Sequence, residues 1–314
     1  MDRNLALEFV RVTEAAAIAA ARWIGRGDKN AADKAAVDAM RTRFNKVDFS
    51  GTIVIGEGSK DEAPELYTGE KVGTGTGPVM DIAVDPLECT ESVAYGRYNA
   101  LTVITTGPNK SLLSAPDTYM DKIAVGREAR DVIDLDTPVS ENIKKVANAL
   151  DKKVEDVTVS LLDRPRHEGL IKEIRAAGAR VRLITDGDIA VAVAACLQES
   201  PIDMLMGIGG STESVLAAVA VKILGGQLLT RFKPRNEKDA EALKKLNIDV
   251  KTIFNAEDLA RGDNLTFTAT GVIDGPMLSG VVMTPHAIIT HSIVMRSASG
   301  TIRYLTTHHH DEHS

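Results

Sequence analysis

The feature that most constrains the fold is a regular alternation of strand-like and helix-like segments in the second half of the chain. Short β-rich runs lie at 157–162, 181–184 and 204–206, and helical patterns lie at 167–177, 189–197 and 213–224. Strands separated by helices of this length predict βαβ units and a parallel sheet. Because ligands bind at the carboxyl ends of strands in such sheets, the residues at those ends are the first candidates for a site.

The first half of the chain has a different pattern. Two helices are predicted at 3–24 and 31–44, followed by strand-like runs at 52–55, 82–84, 101–104 and 112–113 that indicate a partly antiparallel sheet. A length of 314 residues suggests two α/β lobes. We predict an N-terminal lobe over 1–150 and a C-terminal βαβ lobe over 151–305. The polar stretch 136–151 forms their junction in this prediction, and residues 306–314 form a disordered tail.

Composition excludes several classes of protein. The formal net charge is −7 and aromatic residues make up 4 % of the chain, which argues against a nucleic-acid partner. Two cysteines and no CxxC pair suit a reducing compartment. No apolar run reaches about 18 residues, and the N-terminus lacks the pattern of a signal peptide. We therefore expect a soluble cytoplasmic protein without a membrane partner.

Carboxylates follow two of the strand-like runs in the first half. Glu57 stands between two glycines after the run at 52–55, and Asp85 and Glu88 follow the run at 82–84, with Thr90 at a predicted helix start. Oxygen ligands of this kind are what hard divalent cations require. The alternative for each cluster is structural, with Glu57 solvated in a tight turn, Asp85 forming a turn and Thr90 capping a helix.

Groups that could bind an anion follow the strand-like runs of the second half. These are the segments Asp163-Arg164-Pro165-Arg166-His167, Asp186-Gly187-Asp188 and Gly207-Ile208-Gly209-Gly210. Arginine guanidinium groups form paired hydrogen bonds to phosphate, although a lone G-x-G-G is as compatible with a tight turn as with an anion site. The spacing fits neither a dinucleotide fingerprint nor a Walker sequence. Acids together with anion sites indicate metal-assisted transfer of a phosphoryl group to water.

Several motifs, in order over residues 1 to about 305, resemble class II fructose-1,6-bisphosphatase. They include Gly27-Asp28-Lys29-Asn30, Gly51-Thr52-Ile53-Val54-Ile55-Gly56-Glu57-Gly58, Asp61-Glu62-Ala63-Pro64, Asp81-Ile82-Ala83-Val84-Asp85-Pro86-Leu87-Glu88, Arg164-Pro165-Arg166-His167 and Asp186-Gly187-Asp188. The resemblance implies a layered α/β/α/β/α sandwich of the sugar phosphatase type, with the active site between two α/β lobes. It also implies Mn²⁺ or Mg²⁺, a homo-oligomer, and hydrolysis of the 1-phosphate of fructose 1,6-bisphosphate in gluconeogenesis.

The resemblance also assigns roles to residues of this chain. The expected metal ligands are Asp33, Glu57, Asp85, Glu88 and Glu213. The expected catalytic residues are Asp61, which polarises the attacking water, Thr90, which helps to place it, and Lys29, which neutralises phosphate charge. The expected substrate contacts are Glu88, Cys89, Thr90, Tyr119, Arg164, Pro165, Arg166, Asp186, Gly187, Asp188 and Gly210.

Cys89 departs from the family pattern, which has glycine between Glu88 and Thr90. If the backbone there is left-handed, a Cβ costs about 1–2 kcal/mol. Two alternatives to the narrow assignment therefore stay open. One is a broader sugar bisphosphatase that also accepts sedoheptulose 1,7-bisphosphate, and the other is a catalytically impaired sugar-phosphate-binding protein. A dinucleotide-dependent oxidoreductase is disfavoured by the glycine spacing.

Overall fold

A computed structural model describes residues 5–58 and 65–310 of the chain. Its helices are α1 (Leu5–Ala21), α2 (Lys29–Phe44), α3 (Thr90–Tyr95), α4 (Val139–Ala149), α5 (Glu168–Ala176), α6 (Asp188–Ala194), α7 (Ser211–Leu224), α8 (Glu237–Lys245) and α9 (Ala256–Leu259). Its strands are β1 (Ser50–Ile55), β2 (Lys71–Val72), β3 (Val79–Glu88), β4 (Ala100–Pro108), β5 (Tyr119–Val125), β6 (Thr158–Leu162), β7 (Arg180–Ile184), β8 (Met204–Gly210), β9 (Gln227–Phe232), β10 (Ile253–Phe254), β11 (Thr266–Ile273), β12 (Val282–Met283), β13 (Ile288–Arg296) and β14 (Thr301–His309).

The chain divides into two compact units, each built on one sheet. The first unit contains the residues up to Ser114 and those from Gly262 onward, and the second unit contains Ala115–Arg261. These limits differ from the predicted lobes, because β11 to β14 join the sheet that the first strands form. The α/β class predicted from the sequence is confirmed.

The sheet of the first unit has the order β12-β13-β11-β4-β3-β1-β2, and β14 pairs with β13. β1 and β3 are parallel, whereas the other pairs are antiparallel, as the sequence predicted in part. The buried face of α1 covers β11 and β13 and also packs on α2. Phe9, Phe44 and Phe49 meet at ring-centroid distances of 5.4–6.3 Å. Aromatic contacts of this kind add about 0.5–1.5 kcal/mol each beyond the area they bury.

The sheet of the second unit has the order β10-β9-β5-β8-β6-β7. β6 is parallel to β7 and β8, which confirms the predicted βαβ units. β5 is antiparallel to both β8 and β9, so the sheet is mixed. This corrects the expectation from the sequence of a parallel sheet. β5 precedes the first βαβ unit in the chain and lies between β8 and β9, antiparallel to both.

Two segments that composition alone marked as irregular are regular elements. Residues 139–149, in the predicted junction, form α4, because Ile143, Val146 and Ala147 recur at helical spacing and are buried in the core of the second unit. Residues 306–309, in the predicted tail, belong to β14, which forms nine registered pairs with β13 from Ile288↔His309 to Arg296↔Thr301. The disorder expected for that part of the tail was therefore wrong, and residues 311–314 lie outside the described part of the chain.

No helix in the described part of the chain is long and apolar enough to cross a membrane.

Candidate active site

Parallel pairing brings two of the predicted carboxylates to one edge of the first sheet. Ile55 of β1 is registered with Ala83 of β3, and Glu57 and Asp85 each lie two residues beyond that pair. Gly56 is required in this turn, because a Cβ there would lie 1.9 Å from the carbonyl oxygen of Leu66. The same turn is closed by a hydrogen bond from the amide of Glu57 to that carbonyl, at 3.0 Å.

β3 extends further than the sequence predicted. The strand continues through Pro86 to Glu88, and its register with β4 shifts between Asp85 and Glu88. Such an irregularity turns side chains out of the regular alternation. Asp85 is half-buried and Glu88 is buried. Both carboxylates therefore come from the same short irregular stretch of one strand.

Electrostatics single out Glu57 and Asp33 within this region. Burial, together with the nearby charge of Asp33, raises the pKa of Glu57 to about 7. Burial also raises the pKa of Asp33. A carboxylate is pushed in this direction when its charge is poorly compensated by its surroundings. A divalent cation between these groups would supply the missing compensation, so the donor chemistry fits a hard metal ion.

Cys89, which stands where the family pattern has glycine, has a left-handed backbone conformation. Cys89 is buried and has φ 74° and ψ 50°, and α3 begins at the next residue, Thr90. This is a conformation that glycine adopts freely and other residues adopt at a cost. The sequence analysis expected a cost at Cys89 if its backbone is left-handed, and the structure shows that it is.

The start of α2 is fixed against α3. The amides of Gly25 and Gly27 donate to the carbonyls of Val93 and Ala94, at 2.9 and 2.8 Å. Lys29, the first residue of α2, donates to the carboxylate of Glu91 at 3.3 Å. The ammonium group of Lys29 is therefore held beside the first turn of α3, where Thr90 lies.

In the second unit, several predicted substrate contacts surround the end of β8. Tyr119 of β5 is directly registered with Gly210 of β8. The Lys122 ammonium group donates to Asp188 at 2.8 Å and to the carbonyl of Gly210 at 3.0 Å. The Lys122 and Asp188 side chains are only 3 % and 6 % exposed. A buried ion pair with this extra hydrogen bond fixes the orientation of the Asp188 carboxylate.

Glu213 lies in the first turn of α7, close to the same residues. Burial raises the pKa of Glu213, the charge of Asp188 raises it further, and the charge of Lys122 opposes both. A Cβ at Gly210 would lie 1.8 Å from a carboxylate oxygen of Glu213, so only glycine permits this approach. Gly209 and Gly210 of the G-x-G-G segment thus make room for the carboxylates of Asp188 and Glu213, whereas Gly207 lies against the His167 ring.

The arginines that follow β6 are held by its neighbours. Arg166 donates to the carbonyl of Ile208 through Nε and Nη2, at 3.2 and 2.9 Å. His167 Nε2 accepts the amide of Ile208 at 2.8 Å, so Nδ1 carries the proton and donates to the carbonyl of Leu162 at 2.7 Å. Burial lowers the pKa of His167, which keeps this ring neutral. Arg164 faces Asp186 at 3.7 Å.

Two residues that sequence reasoning missed contribute to this region. Lys122 supports Asp188, as described above, and Arg235 lies 5.4 Å from the ring centroid of Tyr119, which also receives Arg166 at 4.6 Å. Arg235 is held by Asp239, at 2.7 Å. The buried position of Lys122 in the alternation of β5 was a usable sequence signal, because an apolar residue is expected there. For Arg235 no such signal existed.

The predicted site residues thus fall into two groups, one in each unit. The first group contains Lys29, Asp33, Glu57, Asp85, Glu88, Cys89 and Thr90, and the second contains Tyr119, Arg164, Pro165, Arg166, Asp186, Gly187, Asp188, Gly210 and Glu213. Among the described residues, no three His, Cys, Asp or Glu side chains converge closely enough to hold a metal ion. Asp61 lies outside the described residues. The five-residue ligand set remains a prediction.

Comparisons with known proteins cover nearly the whole chain. The family described as bacterial fructose-1,6-bisphosphatase, glpX-encoded, matches residues 3–309. A Haemophilus influenzae protein named fructose-1,6-bisphosphatase class 2 is 46 % identical over 323 residues, which cover 99 % of this chain and 97 % of that protein. An Escherichia coli K12 protein named fructose-1,6-bisphosphatase 1 class 2 is 43 % identical, with 99 % and 96 % covered.

Proposed function

Because the chain belongs to the family of glpX-encoded bacterial fructose-1,6-bisphosphatases, we propose how its own residues carry out the reaction of that family. The chain is a metal-dependent phosphoric monoester hydrolase, and its substrate is the sugar bisphosphate fructose 1,6-bisphosphate. The comparisons do not favour the broader or the catalytically impaired alternative. The bond that breaks, in our proposal, is that of the 1-phosphate, which leaves fructose 6-phosphate and inorganic phosphate.

The observation that carries the proposed metal site is the parallel pairing of β1 and β3, which brings Glu57 and Asp85 to one end of the first sheet; the charge of Asp33 also acts on Glu57 and raises its pKa. We assign Asp33, Glu57, Asp85 and Glu88 to a Mn²⁺ or Mg²⁺ site, and we assign Glu213 to the same function from its place in the family motif. When bound, a divalent cation neutralises phosphate charge and makes water more acidic. The charge of Asp33 opposes ionisation of the partly buried Glu57 carboxylate, and a bound cation would relieve that repulsion, which supports this assignment.

Two further side chains of the first unit act on the phosphate in this proposal. Glu91 holds Lys29 beside the first turn of α3. In that position the positive charge of Lys29 offsets the negative charge of the phosphate. Thr90 is half-buried as the first residue of α3, and its hydroxyl can accept or donate a hydrogen bond to the attacking water. The role of Asp61 as the group that polarises this water stays a prediction.

Residues of the second unit bind the rest of the substrate in this proposal. The guanidinium groups of Arg164 and Arg166 bind the distal phosphate, and Tyr119 packs against Arg166. Asp188, oriented by Lys122, accepts hydrogen bonds from sugar hydroxyls. Binding energy gained at these remote groups positions the reacting phosphate, which is a general means of raising the rate.

The experiment that tests these assignments is a set of single substitutions assayed for phosphate release. Glu57→Gln and Asp85→Asn should abolish release at saturating substrate, because both remove a proposed cation ligand. Arg166→Gln should chiefly raise KM. Unchanged activity in Glu57→Gln would contradict the metal assignment. The homo-oligomer and the cytoplasmic location stay predictions, of which the first is tested by light scattering of the purified chain.

A further inference from the structure

β14 forms one edge of the first sheet. All nine of its residues, Thr301 to His309, are registered with β13, whose other side pairs with β11 and β12. No strand in the described part of the chain pairs with the outer side of β14. An average strand has only about five or six residues. The outer side of β14 therefore presents roughly 30 Å of backbone hydrogen-bonding groups, which is a template for a further strand.

The residues of β14 do not protect this edge. Natural proteins commonly protect an exposed edge with proline, with lysine or with a bulge that interrupts pairing. β14 contains neither proline nor lysine, and its register with β13 runs from end to end without a shift. Arg303 is its one residue with a permanent charge. The edge is thus regular and nearly uncharged, which are the properties that favour pairing with another strand.

The side chains of β14 point to two faces of the sheet. Leu305 packs against Ala6 and Val10 of α1, so it lies on the face that this helix covers. Ile302 and Tyr304 lie on the opposite face by the alternation of a strand, and they are 41 % and 60 % exposed. Large side chains at an exposed edge gain contacts when a neighbouring strand places its own side chains beside them.

A second copy of the same strand matches this edge. Two-fold symmetry places identical edges side by side in antiparallel order, so their lengths and the spacing of their backbone groups agree. Full overlap of the nine residues puts the axis at Leu305. Arg303 then lies opposite Thr307, so no like charges meet. Tyr304 lies opposite Thr306, and an aromatic side chain facing a β-branched one is a favourable cross-strand pair.

We propose that β14 is the surface at which two copies of this chain pair, edge to edge, so that one sheet continues across both. The family resemblance implies a homo-oligomer but assigns no surface to it. A second copy is the occupant because it offers an edge of the same length and register without an opposing charge. The residues assigned to the metal and the phosphates belong to other elements, so the pairing does not depend on the proposed reaction.

Light scattering of the purified chain tests the pairing. The wild-type protein should have the mass of at least two chains. Tyr304→Lys/Thr306→Lys places ammonium groups face to face on both sides of the axis, and this double variant should halve the wild-type mass at equal concentration. Val282→Lys/Met283→Lys is the matched control, because it adds the same charge to two exposed residues of β12, and it should keep the wild-type mass.

Single cysteines test the register of the pair. In Leu305→Cys the two thiols lie opposite each other at the axis, and mild oxidation should join the copies by a disulfide. Thr301→Cys is the control, because it lies four residues from the axis. Its two copies are then roughly 27 Å apart along the strands, too far for a disulfide. The wild-type protein, which keeps Cys89 and Cys196, gives the background on a gel run without reductant.

Several results would overturn the proposal. They are a monomeric wild-type protein, an unchanged mass in Tyr304→Lys/Thr306→Lys, and an equal loss of mass in the β12 control. A disulfide that forms equally in Thr301→Cys and Leu305→Cys, or in neither, would also overturn it. If the double lysine variant does not fold, as judged by circular dichroism, Thr306→Lys replaces it and should dissociate at a higher concentration than wild type. Mass and disulfides are read whether or not the chain releases phosphate.

Discussion

Replacing Glu57 with glutamine should stabilise the metal-free protein above neutral pH while it abolishes activity. The folded chain holds the pKa of Glu57 at about 7, whereas the ordinary value is 4.5. A change of one in pKa corresponds to about 1.4 kcal/mol, so ionised Glu57 costs the folded state about 3 kcal/mol. The glutamine side chain carries no charge and avoids this cost.

The effect has a defined pH window. Below pH 4.5 the carboxyl is protonated in both the folded and the unfolded chain, so Glu57 favours neither state. As the pH rises from 4.5 to about 7, the unfolded chain loses the proton first, and the folded wild-type protein loses stability. The difference between Glu57→Gln and wild type should therefore be small at pH 4.5 and should reach about 3 kcal/mol at pH 8.

Urea unfolding in EDTA, followed by tryptophan fluorescence, measures this difference. Trp23 is the single tryptophan and packs against the core of the first unit, so its signal reports the unit that holds Glu57. With a slope of about 1–3 kcal/mol/M, the variant midpoint at pH 8 should rise by about 1 M or more. Asp38→Asn, a control at an exposed carboxylate, should shift the midpoint far less. Equal midpoints for wild type and Glu57→Gln at pH 8 would refute the reasoning.

Further substitutions and chemical probes test other parts of the structure. Cys89→Gly should be more stable to urea than Cys89→Ala by about 1 kcal/mol, since only glycine relieves the left-handed backbone; equal stabilities would contradict the strain. Arg166→Ala should raise KM more than it lowers kcat in steady-state assays, and the reverse pattern would place Arg166 in the chemistry. Asp85→Asn should stay inactive at any Mn²⁺ concentration, and recovery at high Mn²⁺ would make Asp85 replaceable. Alkylation of the half-buried Cys196 should be slow and should still accelerate above pH 10, because desolvation raises its pKa to about 12; rapid reaction at pH 8 would contradict the raised pKa.

The place of Glu57 and Asp85 at the same end of neighbouring strands could be predicted from the sequence because it depends on local order. Glu57 and Asp85 follow apolar runs, and strand pairing of those runs then places both at one edge. The left-handed conformation of Cys89 follows from a position where the family has glycine. In each case the functional residue lies at or just after a strand, and a local pattern of apolar residues in the sequence can locate that strand.

Other features depend on contacts that sequence order does not show. Lys122 is buried because Asp188, 66 residues later, supplies its partner. β14 forms because the edge of β13 offers backbone groups to pair with, although none of its own side chains is fully buried. Tyr119 receives Arg235 from more than 100 residues away. Contacts of this kind are set by the assembled fold, which local propensity does not determine.

The measurement that tests the central claim most directly is phosphate release from fructose 1,6-bisphosphate by the purified chain. It is made with Mn²⁺, with Mg²⁺ and with EDTA, and the sugar product is identified. We expect release with at least one of the two metals, formation of fructose 6-phosphate, and no release in EDTA. A folded protein that releases no phosphate with either metal, or that releases it equally in EDTA, would contradict the account.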